Sequence, residues 1–535
     1  MTRVRPGAYT FPFFCWCFFL LAGLLTTLVV PIGEGFDEPW HLAYVQYIAN
    51  TGSLPPGPRQ RLSSQLQEFL EIGPVGTVLH DLHPELEPHD RYWMAAPEVR
   101  EFNDSRQRGL TFSSTYVEAP GGFEQYESHQ PPLFYVLWAP VFRLASGMSL
   151  PSSFLIVRIW SVLIASTLIP LTFLLVRELS ESTAVANAAA LLTAMFPGIY
   201  PDLARVSNDA LAVPLATATC LLLARYIRTA SRSDAIALGA LLVTGLATKA
   251  FFIPILASVL LVLIILRRWM AAGAMLAASL PGWVFYFRNA AITGSFTGLP
   301  ETVEAKTSIA SSLAAAFQID WILVVRQTAA THTWTGFWSL LQLRSWMYDV
   351  VFFTFLLAIP GFLLYLRQSK HKPARAITVV YAVFLLALAY YATQTYQRTT
   401  SPIIQGWYVT PFAGFEAAIF AIGVAQFFKR GYRTAVFSLS AFCLLALFIY
   451  ATLFVAAPYY TGLTSHGPTG HLRAYSPALA DIPVISSRAV RWYPFLPDAT
   501  VLINSLAVFS LGIILIAGLI HTSDKRRSGN GATKG

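Results

Sequence analysis

The sequence predicts an all-α polytopic membrane protein, a bundle of about 12 transmembrane helices with interfacial helices in a large first extracytoplasmic loop. Of its 535 residues, 55% are hydrophobic and only 12% are charged, whereas soluble domains carry about 25% charged residues. The mean hydropathy is +0.54. Apolar stretches long enough to cross a hydrocarbon core of about 30 Å recur along the chain. They begin near residues 11, 153, 183, 208, 234, 251, 271, 349, 376, 407, 433 and 501.

The first apolar stretch, residues 11–31, predicts a retained helix, because no small-residue cleavage site precedes the polar residues that follow it. The cysteines predict neither a disulfide framework nor a zinc site, because each lies within an apolar stretch. They are Cys15, Cys17, Cys220 and Cys443.

The basic residues set the predicted topology. A net charge of +9 would suit a nucleic-acid-binding protein, but the lysines and arginines cluster in short loops between apolar stretches. If residues 131–148 lie along the membrane surface, all these clusters fall on one side, as the positive-inside rule requires. We therefore predict about 12 crossings, cytoplasmic termini and an interfacial helix at 131–148. The expected location is the plasma (inner) membrane, and no nucleic-acid partner is expected.

Asp37 and Glu38 follow the first apolar stretch directly, where the dielectric falls and carboxylates are costly to keep. Residues 41–48 then place apolar side chains at helical spacing, and Asp37 with Pro39 suits the start of that helix. Two adjacent acids at a membrane surface indicate a functional site.

With this topology, the polar residues that stand in apolar surroundings fall at the outer ends of helices. Acids, bases and a histidine on one face predict a polar pocket at the interface, suited to a phosphorylated amphiphile whose tail stays in lipid. The residues are Asp37, Glu38, His41, Glu127, His129, Gln130, Arg158, Arg205, Asn208, Asp209, Lys249, Arg288, Asn289, Gln405 and Tyr408.

Each of these residues also has a structural interpretation, which the sequence leaves open. Asp37 and Glu38 could be solvated helix-cap carboxylates, and Asp209 could cap the next helix. Lys249 could extend to the membrane surface, and Arg288 could anchor a helix at the membrane edge.

The order of several short motifs resembles the GT-C superfamily of polytopic glycosyltransferases, which includes protein O-mannosyltransferases and the lipid A aminoarabinose transferase. The resemblance is closer still to a bacterial group of predicted membrane proteins of that superfamily, and it covers roughly residues 10 to 430. The motifs are Asp37-Glu38-Pro39-Trp40-His41, His129-Gln130-Pro131-Pro132-Leu133 with Tyr135, Val206-Ser207-Asn208-Asp209, Thr248-Lys249, Arg288-Asn289 and Gln405-Gly406-Trp407-Tyr408.

The resemblance implies a GT-C-like fold, a polyprenyl-phosphate sugar donor and an active site on the extracytoplasmic side. Asp37 matches the principal catalytic carboxylate, and Asp209 matches a second acidic position. Position 407 departs from the pattern, because Trp407 stands where the bacterial group usually has arginine. The resemblance thus implies one phosphate-binding guanidinium that position 407 does not supply.

The predicted reaction moves a sugar from the polyprenyl phosphate to a cell-envelope glycan, lipid or protein, with inversion at the anomeric carbon. A sugar phosphate has a good leaving group, so the site needs a base and positive charge near the phosphate. We predict Asp37 as base, with Glu38 and His41 orienting it or binding acceptor, and Asp209 as a further catalytic residue that binds a divalent cation or positions a cationic partner. The expected phosphate ligands are Lys249, Arg288, Arg205 and Arg158. The expected pocket residues are His129, Gln130, Tyr135, Asn208, Gln405 and Tyr408.

Metal dependence stays open at this point, with Asp37 and Asp209 as the candidate ligands of a divalent cation. No soluble cofactor is expected.

The predicted regions follow from this topology. Residues 1–430 form the GT-C-like catalytic module, with the extracytoplasmic loop at 33–150. Residues 431–520 hold the last transmembrane helices and a loop at 458–500, and residues 521–535 form a basic cytoplasmic tail.

Two other classes of function remain as alternatives. A transporter or flippase would place charged residues near mid-membrane and break helices in repeated halves; the charges at helix ends argue against it. A non-catalytic partner in envelope polysaccharide assembly would keep a degenerate scaffold, and Trp407 is the feature that favours it.

Overall fold

A computed structural model describes residues 9–298, 309–368, 371–402 and 404–529. Their regular secondary structure is helical, with isolated backbone bridges in place of strands. This confirms the predicted all-α class. The first fifteen α-helices are α1 Thr10–Val29, α2 Glu38–Thr51, α3 Ser64–Ile72, α4 Thr77–Leu82, α5 His89–Met94, α6 Pro97–Gly109, α7 Leu133–Ala145, α8 Leu150–Ala165, α9 Leu168–Ser180, α10 Thr183–Met195, α11 Tyr200–Leu203, α12 Asp209–Thr229, α13 Arg232–Leu246, α14 Phe252–Ile265 and α15 Trp269–Thr293.

The second half of the chain continues the bundle. Its helices are α16 Ile309–Gln318, α17 Trp321–Thr333, α18 Ser345–Arg367, α19 Lys372–Thr399, α20 Ala413–Phe427, α21 Arg430–Ile449, α22 Ala457–Tyr460, α23 Asp481–Ala489 and α24 Thr500–Gly529. A π-helical segment, Tyr450–Ala456, joins α21 to α22.

Among the described residues, 9 helices are long and apolar enough to cross a membrane, or up to 10 if one bent pair counts as a single span. Each stretch that the sequence predicts to cross does form helix. However, α13 and α14 have only 15 and 14 residues, shorter than the roughly 20 that a perpendicular crossing needs. The chain is a multi-pass membrane protein, and the predicted count of about 12 crossings stays a prediction.

The first outer segment, residues 33–150, folds into short helices, as predicted. The helix expected at 41–48 lies within α2, which packs against α7. With 13 residues, α7 is about 20 Å long, too short to cross the membrane. Its length fits the predicted interfacial helix.

Buried polar contacts of Glu34 hold the outer segments together. Its Oε1 accepts hydrogen bonds from the backbone N–H of Ser339 (2.7 Å) and from the Tyr460 hydroxyl (2.9 Å). Its Oε2 lies 3.3 Å from Nε2 of the buried His89. Four distant parts of the chain therefore meet just beyond the C-terminal end of α1.

Two glycines let α18 and α20 approach at backbone distance. A Cβ built on Gly361 would lie 2.3 Å from the carbonyl oxygen of Gly423, and one built on Gly423 would lie 2.1 Å from that of Ala358. Close backbone packing of this kind is a main source of helix association in membranes.

The last helix differs from the sequence-based expectation. α24 continues to Gly529, so the region predicted as a tail from residue 521 begins within a helix. Residues 530–535 of that region lie outside the described residues.

Candidate active site

Asp37 occupies the N-cap position of α2 but does not cap it. Its backbone is left-handed, with φ 58°, and its side chain makes no capping hydrogen bond. Instead, Oδ1 accepts a hydrogen bond from the Tyr126 hydroxyl. A non-glycine residue in this conformation costs free energy, and such residues concentrate at functional sites. The interpretation of Asp37 as a simple helix cap is therefore wrong.

The surroundings of Asp37 tune its proton affinity. Burial raises the pKa of its carboxyl group above the ordinary value, and the negative charge of Asp209 adds to this rise. The hydrogen bond from Tyr126 and the positive charges of Arg205 and Lys249 act in the opposite direction. A carboxylate with a raised pKa is a stronger base than one in water.

Asp209 lies between two cations at the start of α12. Its Oδ1 is 2.5 Å from Lys249 Nζ, and its Oδ2 is 3.3 Å from Arg205 Nη2. The Ser207 hydroxyl also donates to Oδ2, at 2.9 Å. Because both oxygens are engaged, the contacts do not favour Asp209 as a metal ligand.

Arg205 keeps unused hydrogen-bonding capacity. Its side chain is buried, yet Nε and Nη1 have no hydrogen-bond partner. Such donors are costly to leave unpaired. The side chain of Lys249 is 12% exposed and can be reached from outside. Together they form a cationic centre that can accept an anionic ligand.

Glu38 and Arg158 form a separate ion pair next to this centre. Arg158 donates two hydrogen bonds to Glu38, from Nε to Oε1 at 2.7 Å and from Nη2 to Oε2 at 2.5 Å. Its remaining three donors bind the carbonyl oxygens of Thr27, Val30 and Pro31, at 3.3, 2.7 and 2.7 Å. Both residues are fully buried. These contacts favour a structural pair over the predicted acceptor and phosphate contacts, because no donor of the guanidinium is left for a phosphate.

Arg288 also lies elsewhere than predicted. Its Nη2 donates to the carbonyl oxygen of Pro55, and its guanidinium lies 5.1 Å from the ring centroid of Phe285. The neighbouring Asn289 donates to the carbonyl oxygen of His129 at 2.7 Å. Among the described contacts, Arg288 holds a loop rather than facing Asp209.

The predicted pocket residues Gln130 and Asn208 meet side by side. Asn208 Nδ2 donates to Gln130 Oε1 at 3.1 Å. The side-chain oxygen of Asn208, Oδ1, is buried without a hydrogen-bond partner. His129 Nδ1 lies 2.5 Å from the carbonyl oxygen of Tyr126. Burial lowers the pKa of His129 to about 4, so it is neutral near pH 7. Neutral hydrogen-bonding groups therefore form the wall beside the cationic centre.

The imidazole of His41 lies near the carboxyl groups of both Asp37 and Glu127. Its Nδ1 lies 2.8 Å from the Tyr135 hydroxyl and 3.8 Å from Glu127 Oε2. Burial and the charges of Arg205 and Lys249 lower the pKa of His41 well below its ordinary value. Burial and the charge of Asp37 raise the pKa of Glu127 well above its usual range.

Asp37, His41 and Glu127 could hold a metal ion, since one ligand atom from each lies within 4.8 Å of the others. Two carboxylates and an imidazole suit a divalent cation. Glu127 Oε2 is buried without a hydrogen-bond partner, which fits an additional positive ligand. The sequence placed Glu127 in the outer polar group but gave it no role, and it missed Tyr126.

The turn at Gln405–Tyr408 reaches the cations through aromatic rings. The ring of Trp407 lies 4.2 Å from that of Phe36, which lies 5.6 Å from the Arg205 guanidinium. The ring of Tyr408 lies 5.9 Å from that of Phe251, which lies 4.6 Å from Lys249 Nζ. The partly buried Gln405 opens this turn. An aromatic surface thus replaces the guanidinium that the resemblance leads one to expect.

Part of the chain resembles a known protein family. Residues 129–287 match the family model described as dolichyl-phosphate-mannose-protein mannosyltransferase. The matched segment contains Gln130, Arg205, Asp209 and Lys249. No curated protein matches the chain.

Several solved structures superpose on the chain at low identity. ArnT from Cupriavidus metallidurans, bound to undecaprenyl phosphate, is 12% identical, with a TM-score of 0.40 over 90% of this chain and 76% of that chain. The arabinosyltransferase EmbB from Mycobacterium smegmatis is 13% identical, with a TM-score of 0.39 over 97% of this chain and 42% of that chain. The oligosaccharyltransferase of Archaeoglobus fulgidus in its apo form is 14% identical, with a TM-score of 0.41 over 88% of this chain and 57% of that chain.

The chain is a polytopic membrane protein, and residues 129–287 of it match a glycosyltransferase family model. The resemblance predicted from the short motifs is confirmed.

Proposed function

We propose that this protein transfers a sugar from a polyprenyl-phosphate donor to a hydroxyl group of an acceptor on the extracytoplasmic side of the plasma membrane. The observation that supports this most is that Asp37 lies within electrostatic range of Arg205 and Lys249, the two cations that Asp209 binds. It joins a base with a raised pKa to a cationic centre with unused donors. The family name of the matched model, which refers to a dolichyl-phosphate-linked mannose, agrees with a lipid-linked donor.

Asp37 acts as the general base in this proposal. Its carboxylate takes the proton of the acceptor hydroxyl while that oxygen attacks the anomeric carbon. The bond from the anomeric carbon to the phosphate oxygen breaks, and its electron pair leaves with the polyprenyl phosphate. A single displacement of this kind inverts the anomeric configuration. Tyr126 holds the carboxylate in position through its hydroxyl group.

Arg205 and Lys249 act on the leaving group. As the phosphate departs, it gains negative charge, which cationic donors in a site of low dielectric stabilise strongly. Asp209 holds both cations in place through its two oxygens. It is therefore a positioning residue in this proposal.

The neutral wall of His129, Gln130 and Asn208 would bind sugar or acceptor hydroxyl groups, and His41 with Tyr135 would orient the base. A divalent cation, where one is bound, would be held by Asp37, His41 and Glu127 and would supply further positive charge. Glu38 and Arg158 stay outside the reaction.

The experiment is complementation of a deletion strain, with lipid extracts analysed for accumulated polyprenyl-phosphate sugar and for the missing glycan. Asp37→Asn removes the base while keeping the shape of the side chain. We expect transfer to fall about 100-fold or more, within the usual contribution of a general base. The matched control is Asp81→Asn, an exposed carboxylate in the same outer segment, which should complement fully. Full complementation by a normally inserted Asp37→Asn protein would overturn the proposal.

A further inference from the structure

A second cationic cluster lies outside the candidate active site, where the first outer segment, residues 33–150, meets the loop at residues 458–500. The guanidinium groups of Arg100, Arg488 and Arg491 lie 5.4, 4.7 and 5.1 Å from the ring centroid of Trp93. Trp93 also contacts Gly462 closely, just beyond the outer end of a membrane-spanning helix. The cluster, which we call the Trp93 cluster, is thus near the outer membrane surface.

The charge of the Trp93 cluster is not balanced by the protein. Asp104 is the one acid that pairs with it among the described residues, through Arg491 Nε at 3.4 Å. The Asp104 oxygen involved also accepts a hydrogen bond from Tyr92. Three guanidinium groups therefore face one carboxylate, and like charges at this spacing repel one another.

Two donors of the cluster lack acceptors. Arg491 Nη2 and Trp93 Nε1 are both buried without a hydrogen-bond partner, and the side chain of Arg491 is only 9% exposed. Unpaired buried donors are rare in folded proteins, and each one calls for an explanation. An excess of both charge and donors is what an anion would satisfy.

The helix that carries Arg488 also lines an apolar cleft. Ile482 and Ile485 of α23 face a space of about 360 Å³ whose opposite wall includes Phe454. Phe454 also borders a second space of about 470 Å³ between α21 and α24, where the lining residues are apolar. Arg488 follows Ile485 by three positions, so both lie on one face of α23.

The acid that lines this cleft already accepts hydrogen bonds from within the protein. Asp481 lines the cleft, and its Oδ2 accepts from the Tyr475 hydroxyl at 2.7 Å and from the backbone N–H of Ala478 at 3.0 Å. Asp481 stands seven residues before Arg488, about 10 Å along the helix. Arg488, near the C-terminal end of α23, is therefore not paired with Asp481.

From this juxtaposition we infer that the Trp93 cluster binds the phosphate of an anionic phospholipid, whose acyl chain lies in the cleft beside α23. Charge complementarity selects the headgroup, and the cleft between two membrane-spanning helices accommodates the chain. The site is separate from the proposed donor site, because it shares none of its residues. It would anchor the outer segments to the membrane.

The test uses the purified full-length protein and native mass spectrometry, with added phosphatidylglycerol, phosphatidylcholine of the same chain length, or inorganic phosphate. We expect one phosphatidylglycerol to be retained with about tenfold preference over phosphatidylcholine, as basic residues at a membrane surface favour anionic lipid. Arg488→Gln should abolish that preference. The matched control, Arg473→Gln, changes an exposed arginine of the same outer segment and should preserve it.

Thermal unfolding supplies a second readout. Phosphatidylglycerol should raise the unfolding temperature of the wild type and of Arg473→Gln, but not that of Arg488→Gln. Equal retention of the two lipids by the wild type would overturn the inference. So would unchanged preference in Arg488→Gln, or an equal stabilisation by inorganic phosphate alone, which would indicate a site for a soluble anion.

Discussion

Two neighbouring carboxylates, Asp37 and Glu38, have opposite surroundings. Glu38 accepts hydrogen bonds from Arg158 on both oxygens, and from the backbone N–H groups of Val206 and Gly33. Asp37 has one described hydrogen bond to its side chain, from Tyr126, and it sits in a left-handed backbone conformation. A charge whose hydrogen bonds are all made within the protein maintains the architecture. A charge that is incompletely paired and held at a cost in free energy is available for chemistry.

The largest effect on folding should come from breaking the Glu38–Arg158 pair. Glu38→Gln or Arg158→Gln leaves the other charge buried, which costs about 3–5 kcal/mol of folding free energy. Thermal unfolding in detergent should show this loss, together with reduced yield. A Glu38→Gln protein of wild-type stability would show that Glu38 is not needed for the architecture.

The next largest effect should come from the cationic centre. Lys249→Ala should lower transfer about 10- to 100-fold per folded molecule, because a cation that stabilises the leaving phosphate is worth about 1.5–3 kcal/mol. The control is Lys249→Arg, which keeps the charge and should recover part of the activity. If Lys249→Ala and the wild type transfer sugar equally fast, Lys249 does not act on the phosphate.

The pH dependence of transfer tests whether Asp37 is the general base. The base works when it is deprotonated, so activity should be lost as pH falls through its raised pKa. In Tyr126→Phe, the loss of a hydrogen bond that lowers this pKa should move the acidic limb to higher pH. Initial rates measured from pH 4 to 9, after checking that the protein stays folded, give this shift. A shift to lower pH would contradict the assignment.

The smallest effect should come from Trp407. Its ring lies on Phe36, which in turn lies under Arg205, so it acts on the phosphate only through the ring stack. Trp407→Ala should weaken donor binding about two- to fivefold, as expected for losing part of an aromatic contact to a cation. Titration of a polyprenyl-phosphate sugar measures this change. A loss as large as that of Lys249→Ala would mean that Trp407 contacts the donor directly.

The sequence predicted the helices because apolar periodicity and helix length are local properties. It also predicted that polar residues at several helix ends belong together, and the contacts of Asp209 with Lys249 and Arg205 bring three of them together. The predicted topology groups these residues because charges at helix ends on one side of a membrane share one surface.

The sequence could not predict the partners of individual side chains. Arg158 is 120 positions from Glu38, and the packing of α8 against α1 places it beside the segment that joins α1 to α2. Asp37 and Glu38 are adjacent acids that the sequence does not distinguish. The left-handed backbone at Asp37 gives their side chains different surroundings. Tyr126 lies in a segment without helical periodicity, so no local pattern marked it, and Glu127 was grouped with the outer polar residues without a partner or a role.

The most direct measurement compares Asp37→Asn and Glu38→Gln in parallel, with transfer activity and thermal unfolding determined on the same preparations. The account predicts that Asp37→Asn unfolds like the wild type yet transfers at least about 100-fold less sugar. It predicts that Glu38→Gln is destabilised, while its folded fraction still transfers. An active Asp37→Asn protein, or a stable but inactive Glu38→Gln protein, would contradict the account.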